Sequence, residues 1–204
     1  MHQIKIKNKV PQNISPDFYR INQGINLIIT YIMHIYYIFL LLICITCNII
    51  RTVYEVLKYK GKIKGDNHPF FILIIFNMAI LFGSWWQMSK NDPYKIFTNN
   101  CIKYSGLFIC IIGMMLFFLS IIKLKGFSDK NIIKKNGIYL KIRHPMYYGV
   151  ILWMTGASVF NGAYFTLLIS VVFILNILLW RKLEEKVLER KFEDYRKYKK
   201  NTWI

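Results

Sequence analysis

The chain reads as an all-α, multi-pass membrane protein. The expectation is about five transmembrane helices, the last two a helical hairpin, followed by a cytoplasmic C-terminal amphipathic helix. Three observations predict this class. Apolar residues make up 55% of the 204 and aromatic residues 17%, more apolar than a soluble domain of this size. They gather in runs near the ~20 residues that a helix needs to cross a hydrocarbon core. The basic residues, which give a formal charge of +18, fall between those runs. They do not form the single basic face that nucleic-acid binding would need, so no nucleic-acid partner is expected.

The elements follow in order. Residues 1–24 form an N-terminal segment with weak alternation (Ile4, Lys5, Ile6, Lys7) and two prolines, Pro11 and Pro16, expected to be loosely ordered. No cleavable signal peptide is expected, because the first apolar run starts too late and is too long. Residues 25–122 hold three spans, at 25–50, 70–88 and 104–122. Residues 123–204 form one unit of loop, hairpin and terminal helix. The first hairpin arm, 147–160, covers only ~21 Å at 1.5 Å per residue, short of a ~30 Å core. Asn161-Gly162 turns the chain, and 163–180 returns. No credible strand and no G-x-G-x-x-G motif after a strand is present, which disfavours a soluble nucleotide-binding fold.

Orientation follows from Lys and Arg. Alternate flanks carry 21 against 7, and the positive-inside rule assigns the richer set to the cytoplasm. Both ends of the hairpin and the C-terminus are then cytoplasmic. The membrane would be the plasma membrane of a prokaryote or the endoplasmic reticulum of a eukaryote.

Several polar features read as structural. Cys44-x-x-Cys47 lies inside a span with no second pair near it in sequence, so packing is expected and no metal site. His34 and Asn48 are expected to hydrogen-bond to neighbouring helices. Trp85-Trp86 reads as an interface anchor. Gly106 and Gly113 allow close helix contact. His68-Pro69 repeats the dipeptide found at 144–145, so that dipeptide alone carries little weight.

Two polar clusters bracket the hairpin. The first is Arg143-His144-Pro145-Met146-Tyr147-Tyr148-Gly149, preceded by Gly137-Ile138-Tyr139; the second begins at Glu184-Glu185 and continues through Leu188, Phe192, Tyr195 and Tyr198. Free N–H groups at a helix start favour anions, the tyrosines offer flat faces, and Gly149 leaves room for close approach. If residues 181–200 form one helix at about 100° per residue, Glu184 shares a buried stripe with the aromatics. Glu185 then sits at the stripe's edge. A carboxylate on that stripe needs a partner. A hairpin brings both clusters to one membrane surface.

These two strings resemble the G-x-Y…R-H-P-x-Y-x-G and E-E-x-x-L…F-G-x-x-Y-x-x-Y signatures of the isoprenylcysteine carboxyl methyltransferase family, over roughly residues 120–200. The resemblance implies an integral membrane methyltransferase using S-adenosyl-L-methionine. It implies a pocket lined by Tyr139, His144, Pro145, Met146 and Tyr147, with Glu184 on the cofactor. It also implies backbone contacts from the loop residues Asn131, Ile133 and Lys134. Trp180 stands where the family commonly has arginine, with Arg181 one residue later, so Arg181 is the candidate for steering an anionic acceptor. Glu193 follows Phe192 where the family commonly has glycine.

The expected reaction is methyl transfer to a lipophilic acceptor from the bilayer, carboxylate O-methylation by resemblance. A phospholipid amine or a lipophilic thiol is the alternative acceptor. A nicotinamide-dependent membrane reductase and a non-enzymatic scaffold that binds membrane lipids are the competing classes.

Overall fold

The apolar runs fold as helices whose ends coincide with charges, prolines and turn residues. The computed structural model describes residues 16–63, 68–96, 99–124 and 137–202. The elements are α1 (Pro16–Tyr59), α2 (His68–Lys90), α3 (Asn100–Leu124), a 3-10 turn (Gly137–Leu140), α4 (Pro145–Phe160), α5 (Tyr164–Lys191) and α6 (Tyr195–Lys200). Among the described residues the only β-type pairing is one isolated bridge, Lys95 to Ala163. The all-α expectation holds. α1, α2, α3 and α5 are long and apolar enough to cross a bilayer, which marks an integral membrane protein. α4 has 16 residues, about 24 Å, and is the short arm that the sequence predicts.

The chain divides into two units, Met1–Tyr36 and Tyr37–Ile204. In the first, Leu27, Tyr31 and His34 are exposed. In the second, the core gathers Cys44, Trp85, Met88, Met154, Ile177 and Trp180, each under 2% exposed. Cys44 and Cys47 are free thiols in that core. Trp85 is not an interface anchor. Its indole N–H donates to the Met154 carbonyl at 3.2 Å and its ring meets Phe173 edge-on. α2 runs on to Lys90, which leaves Trp85 more than a turn inside the helix and facing α4.

α3 and α4 touch backbone to backbone. Glycines seven residues apart on each helix, Gly106 and Gly113 against Gly149 and Gly156, make this possible. A Cβ at Gly156 would lie 2.5 Å from the Cys110 nitrogen, and one at Gly149 would lie 2.7 Å from the Phe117 nitrogen. Small residues let membrane helices approach this closely. Gly149 therefore seats a neighbouring helix, where the sequence suggested room at the polar cluster.

The turn end of the hairpin is a closed polar network. Gly162 takes φ +61°, a left-handed conformation suited to glycine. Ala163 gives α5 no side-chain cap. Asp92, from the α2–α3 connection, caps it instead: its Oδ2 accepts from the Thr166 N–H and hydroxyl, both at 2.7 Å, and its Oδ1 accepts from the Tyr94 N–H at 2.9 Å. Asn161 Nδ2 donates to Ser89 Oγ, and Lys95 Nζ donates to the Ser89 and Asn161 carbonyls. Burial of Lys95 lowers its pKa.

The terminal helix departs from expectation. α5 continues through Glu184 and Glu185 to Lys191, and Phe192 then turns extended, with φ −130° and ψ 116°. The short α6 follows. The wheel drawn through residues 181–200 therefore fails beyond Lys191. Tyr195 and Tyr198 are buried because the break turns them back: the Tyr198 hydroxyl donates to the Tyr139 carbonyl, and Tyr195 is 2% exposed.

Candidate functional site

The open end of the hairpin, where α4 begins and α5 loses its apolar character, gathers the charged side chains. His144 occupies the N-cap position of α4, with Pro145 at the first turn, where a missing N–H costs nothing. The imidazole is buried between two carboxylates. Nδ1 lies 3.7 Å from Glu184 Oε2, and Nε2 lies 3.4 Å from Glu185 Oε1. A neutral imidazole carries one N–H and can serve only one of them at a time. The Tyr195 hydroxyl lies 3.5 Å from Nε2, and burial raises the Tyr195 phenol above its ordinary pKa.

The two carboxylates differ. Glu185 is the more buried, at 10% side-chain exposure, and pairs with Arg143 Nε at 3.2 Å and Lys199 Nζ at 2.9 Å. Glu184 keeps 27% side-chain exposure and has Lys58 at 3.7 Å. This reverses the order read from the helical wheel: α5 is set by the hairpin contacts along its whole length, and these turn Glu185 inward. Glu184 is the carboxylate with surface left for a ligand.

Arg143 latches the tail. Its Nη1 donates to the Lys199 and Thr202 carbonyls and to Thr202 Oγ1, the last at 2.7 Å. Lys199 also reaches Glu189 at 3.0 Å. Hydrogen bonds to Glu185 and Glu189 hold the Lys199 ammonium above its ordinary pKa. Arg143 and Glu185, with side chains 11% and 10% exposed, are stable this far out of water because they are paired.

Tyr147 is 3% exposed. Its ring lies 5.7 Å from the imidazole, and its hydroxyl accepts from Arg51 Nη2 at 3.4 Å. Met146 is half-buried against the core. Tyr139, in the 3-10 turn, lies against Ser120, and burial pushes its phenol up to about 12. Arg181 donates to the Tyr148 hydroxyl and lies 6.0 Å over that ring, and its Nε is buried without a hydrogen-bond partner among the described residues. Asn131, Ile133 and Lys134 lie outside the described residues. The structure thus brings together His144, Pro145, Tyr147 and Glu184, holds Tyr139 beside them through Tyr198, and sets Arg181 on Tyr148.

Sequence reasoning missed the contribution of α1. Arg51 and Glu55 form a buried pair at 2.7 Å, and Lys58 reaches Glu184. The Arg51 guanidinium also lies 5.7 Å from the Trp180 ring. Their spacing was a usable signal: charges three and four residues apart at the end of an apolar run share one helix face. Asn48, read as structural, does bond to a neighbouring helix, accepting from Asn176, which also donates to Thr52.

Neither the curated proteins nor the solved structures include a match to this chain. Residues 102–195, just under half of the chain, match the model of the phospholipid methyltransferase family. The matched segment carries α3, the hairpin and both carboxylates, and it supports a membrane methyltransferase. Over that segment the chain is similar to the phospholipid methyltransferases, integral membrane enzymes related to the isoprenylcysteine family that its motifs resemble.

Proposed function

We propose that this chain is an S-adenosylmethionine-dependent methyltransferase acting on a lipid-borne acceptor at the open end of the hairpin, on the cytoplasmic side. The observation that carries the proposal is His144 standing between Glu184 and Glu185, with Glu184 partly exposed beside it. The donor set suits the cofactor. Its ammonium and sulfonium match Glu184 and the faces of Tyr139 and Tyr147, and its carboxylate matches the Met146 N–H in the first turn of α4, since Pro145 has no N–H and those of Tyr147 and Tyr148 donate to the His144 carbonyl. Glu184, His144, Pro145, Met146, Tyr147 and Tyr139 would hold it, with Asn131, Ile133 and Lys134 contributing from the preceding loop.

When bound, the cofactor supplies a methyl on a positively charged sulfur, which an in-line lone pair takes while the sulfur keeps the bonding electrons. The protein's share is position, orientation and dryness. The Arg51–Tyr147 contact and the latched tail hold the walls still. A carboxylate acceptor, implied by the isoprenylcysteine resemblance, brings its own lone pair, and Arg181 would steer it. An amine-bearing phospholipid is the second reading, favoured by the family match, and such an amine must shed a proton before it can attack.

Thermal denaturation of the detergent-purified chain with S-adenosylhomocysteine tests the proposal. Linkage gives about 2.7 kcal/mol of stabilisation at a hundredfold excess over the dissociation constant. Radiolabelled methyl should pass from the donor to a lipid extract. A shift with a nicotinamide cofactor instead would indicate a reductase, and no shift with either would indicate a scaffold.

A further inference from the structure

Two kinds of ion pair meet at the open end of the hairpin. Arg51–Glu55 at 2.7 Å and Arg143–Glu185 at 3.2 Å are closed, with no side chain more than 11% exposed. Lys58–Glu184 is different. Its separation of 3.7 Å is the longest of the lysine and arginine pairs among the described residues, and its side chains stay 20% and 27% exposed. That distance is too long for a hydrogen bond, and among the described residues the Lys58 ammonium donates none. Both partners keep polar capacity and a surface from which to use it.

The backbone that carries Lys58 is clamped on both sides. Arg51 and Glu55 precede it on the same helix face. Arg51 ties α1 to α4 through the Tyr147 hydroxyl and to α5 through the Trp180 ring. Tyr59, the next residue, is held by α5: Arg190 Nη2 donates to its hydroxyl at 2.8 Å, and the guanidinium lies 4.4 Å from its ring. Lys58 is therefore kept beside Glu184 without being bonded to it. A cation and a carboxylate held side by side in this way complement a ligand that carries the reverse pair. The amino-acid end of S-adenosylmethionine is such a ligand, with an ammonium and a carboxylate on one carbon.

Resting on the methyltransferase reading above, we propose that Lys58 takes the carboxylate of the cofactor's amino-acid end while Glu184 takes its ammonium. The Met146 N–H gives that carboxylate one neutral donor, and Lys58 adds the charge-assisted one. α1 lies outside residues 102–195, which match the family model, so this assignment makes a helix beyond the matched segment part of the donor site. The rival role for Lys58 is a stand-in for the cofactor's ammonium, pushed off Glu184 when the cofactor arrives. A stand-in needs a second seat. The carboxylate three residues back, Glu55, is 1% exposed and already paired with Arg51, so the geometry favours a lysine that stays and binds.

The test is calorimetric titration of the full chain in detergent with two ligands. One is S-adenosylhomocysteine. The other is its decarboxylated analogue, which keeps the ammonium and lacks the carboxylate. The wild type should bind S-adenosylhomocysteine roughly tenfold or more tightly than the analogue. Lys58→Met should weaken S-adenosylhomocysteine by roughly tenfold and should not weaken the analogue, so the preference disappears. Lys58→Arg should keep part of the preference. Lys60→Met, at an exposed lysine two residues on, should leave both affinities unchanged and so exclude a general effect of charge. Tighter or unchanged binding of S-adenosylhomocysteine in Lys58→Met overturns the inference, since Lys58 would then compete with the ligand or ignore it. Equal weakening of both ligands also overturns it, since Lys58 would then only support the site's shape. If Lys58→Met does not fold, Lys58→Gln and the wild-type preference decide. Wild-type binding of both ligands with equal affinity overturns this inference alone. Binding of neither removes the methyltransferase reading as well.

Discussion

The two ends of the α4–α5 hairpin solve the same problem differently. At the turn end, the polar side chains of Asp92, Thr166, Asn161, Ser89 and Lys95 meet partners within the protein. At the open end, the carboxylate of Glu55, though ion-paired with Arg51, and the Nε atoms of Arg51 and Arg181 are buried without hydrogen-bond partners among the described residues, and Glu184 keeps a free surface. A saturated network specifies a fold. An unsaturated one, in a molecule that can ill spare the energy, is set to receive something else.

That contrast can be broken by mutation. The largest effect on stability should come from Arg143→Ala. It removes a cation from nearly buried Glu185 and frees the tail, costing about 3 kcal/mol. It should appear as a lowered thermal midpoint and faster trypsin cleavage after α5. Next, Glu184→Gln and His144→Ala should abolish the S-adenosylhomocysteine stabilisation of about 2.7 kcal/mol while the free proteins melt near wild type. At the other end, Asp92→Ala should behave in the opposite way. It strips the cap from α5 and costs about 1–2 kcal/mol in thermal denaturation, with S-adenosylhomocysteine affinity unchanged. Loss of affinity there would erase the distinction between the ends. Glu193→Gln, on an exposed residue past the break, should change stability by less than about 0.5 kcal/mol and binding not at all.

The hairpin was legible because its signals are local. Asn161-Gly162 lies between two apolar stretches, and the charge asymmetry of the flanks needs only counting. The meeting of His144 with Glu184 follows from those two facts. Glu185 was misjudged because an isolated wheel ignores which face the hairpin turns inward. The break at Phe192 has no proline or glycine to announce it. Trp85 was misplaced because a tryptophan near a run's end reads the same whether it meets lipid or the Met154 carbonyl. The α1 charges were illegible as site residues because their partners lie 96 to 129 positions away, at Tyr147, Trp180 and Glu184.

The shortness of α4 reaches beyond the protein itself. An arm of 16 residues is about 24 Å long against a hydrocarbon thickness of about 30 Å. The apolar part of α5, from Tyr164 to Trp180, is little longer. With His144 at one membrane surface, α4 alone does not cover that thickness, and the turn at Asn161, with Asp92 and Lys95 beside it, would lie short of the opposite surface. A bilayer of that thickness would then thin locally around the turn, at a cost of a fraction of a kcal/mol for each ångström. Thin membranes accommodate such a dimple with least strain, so the acyl-chain length of the host vesicle becomes a control on how the protein is seated.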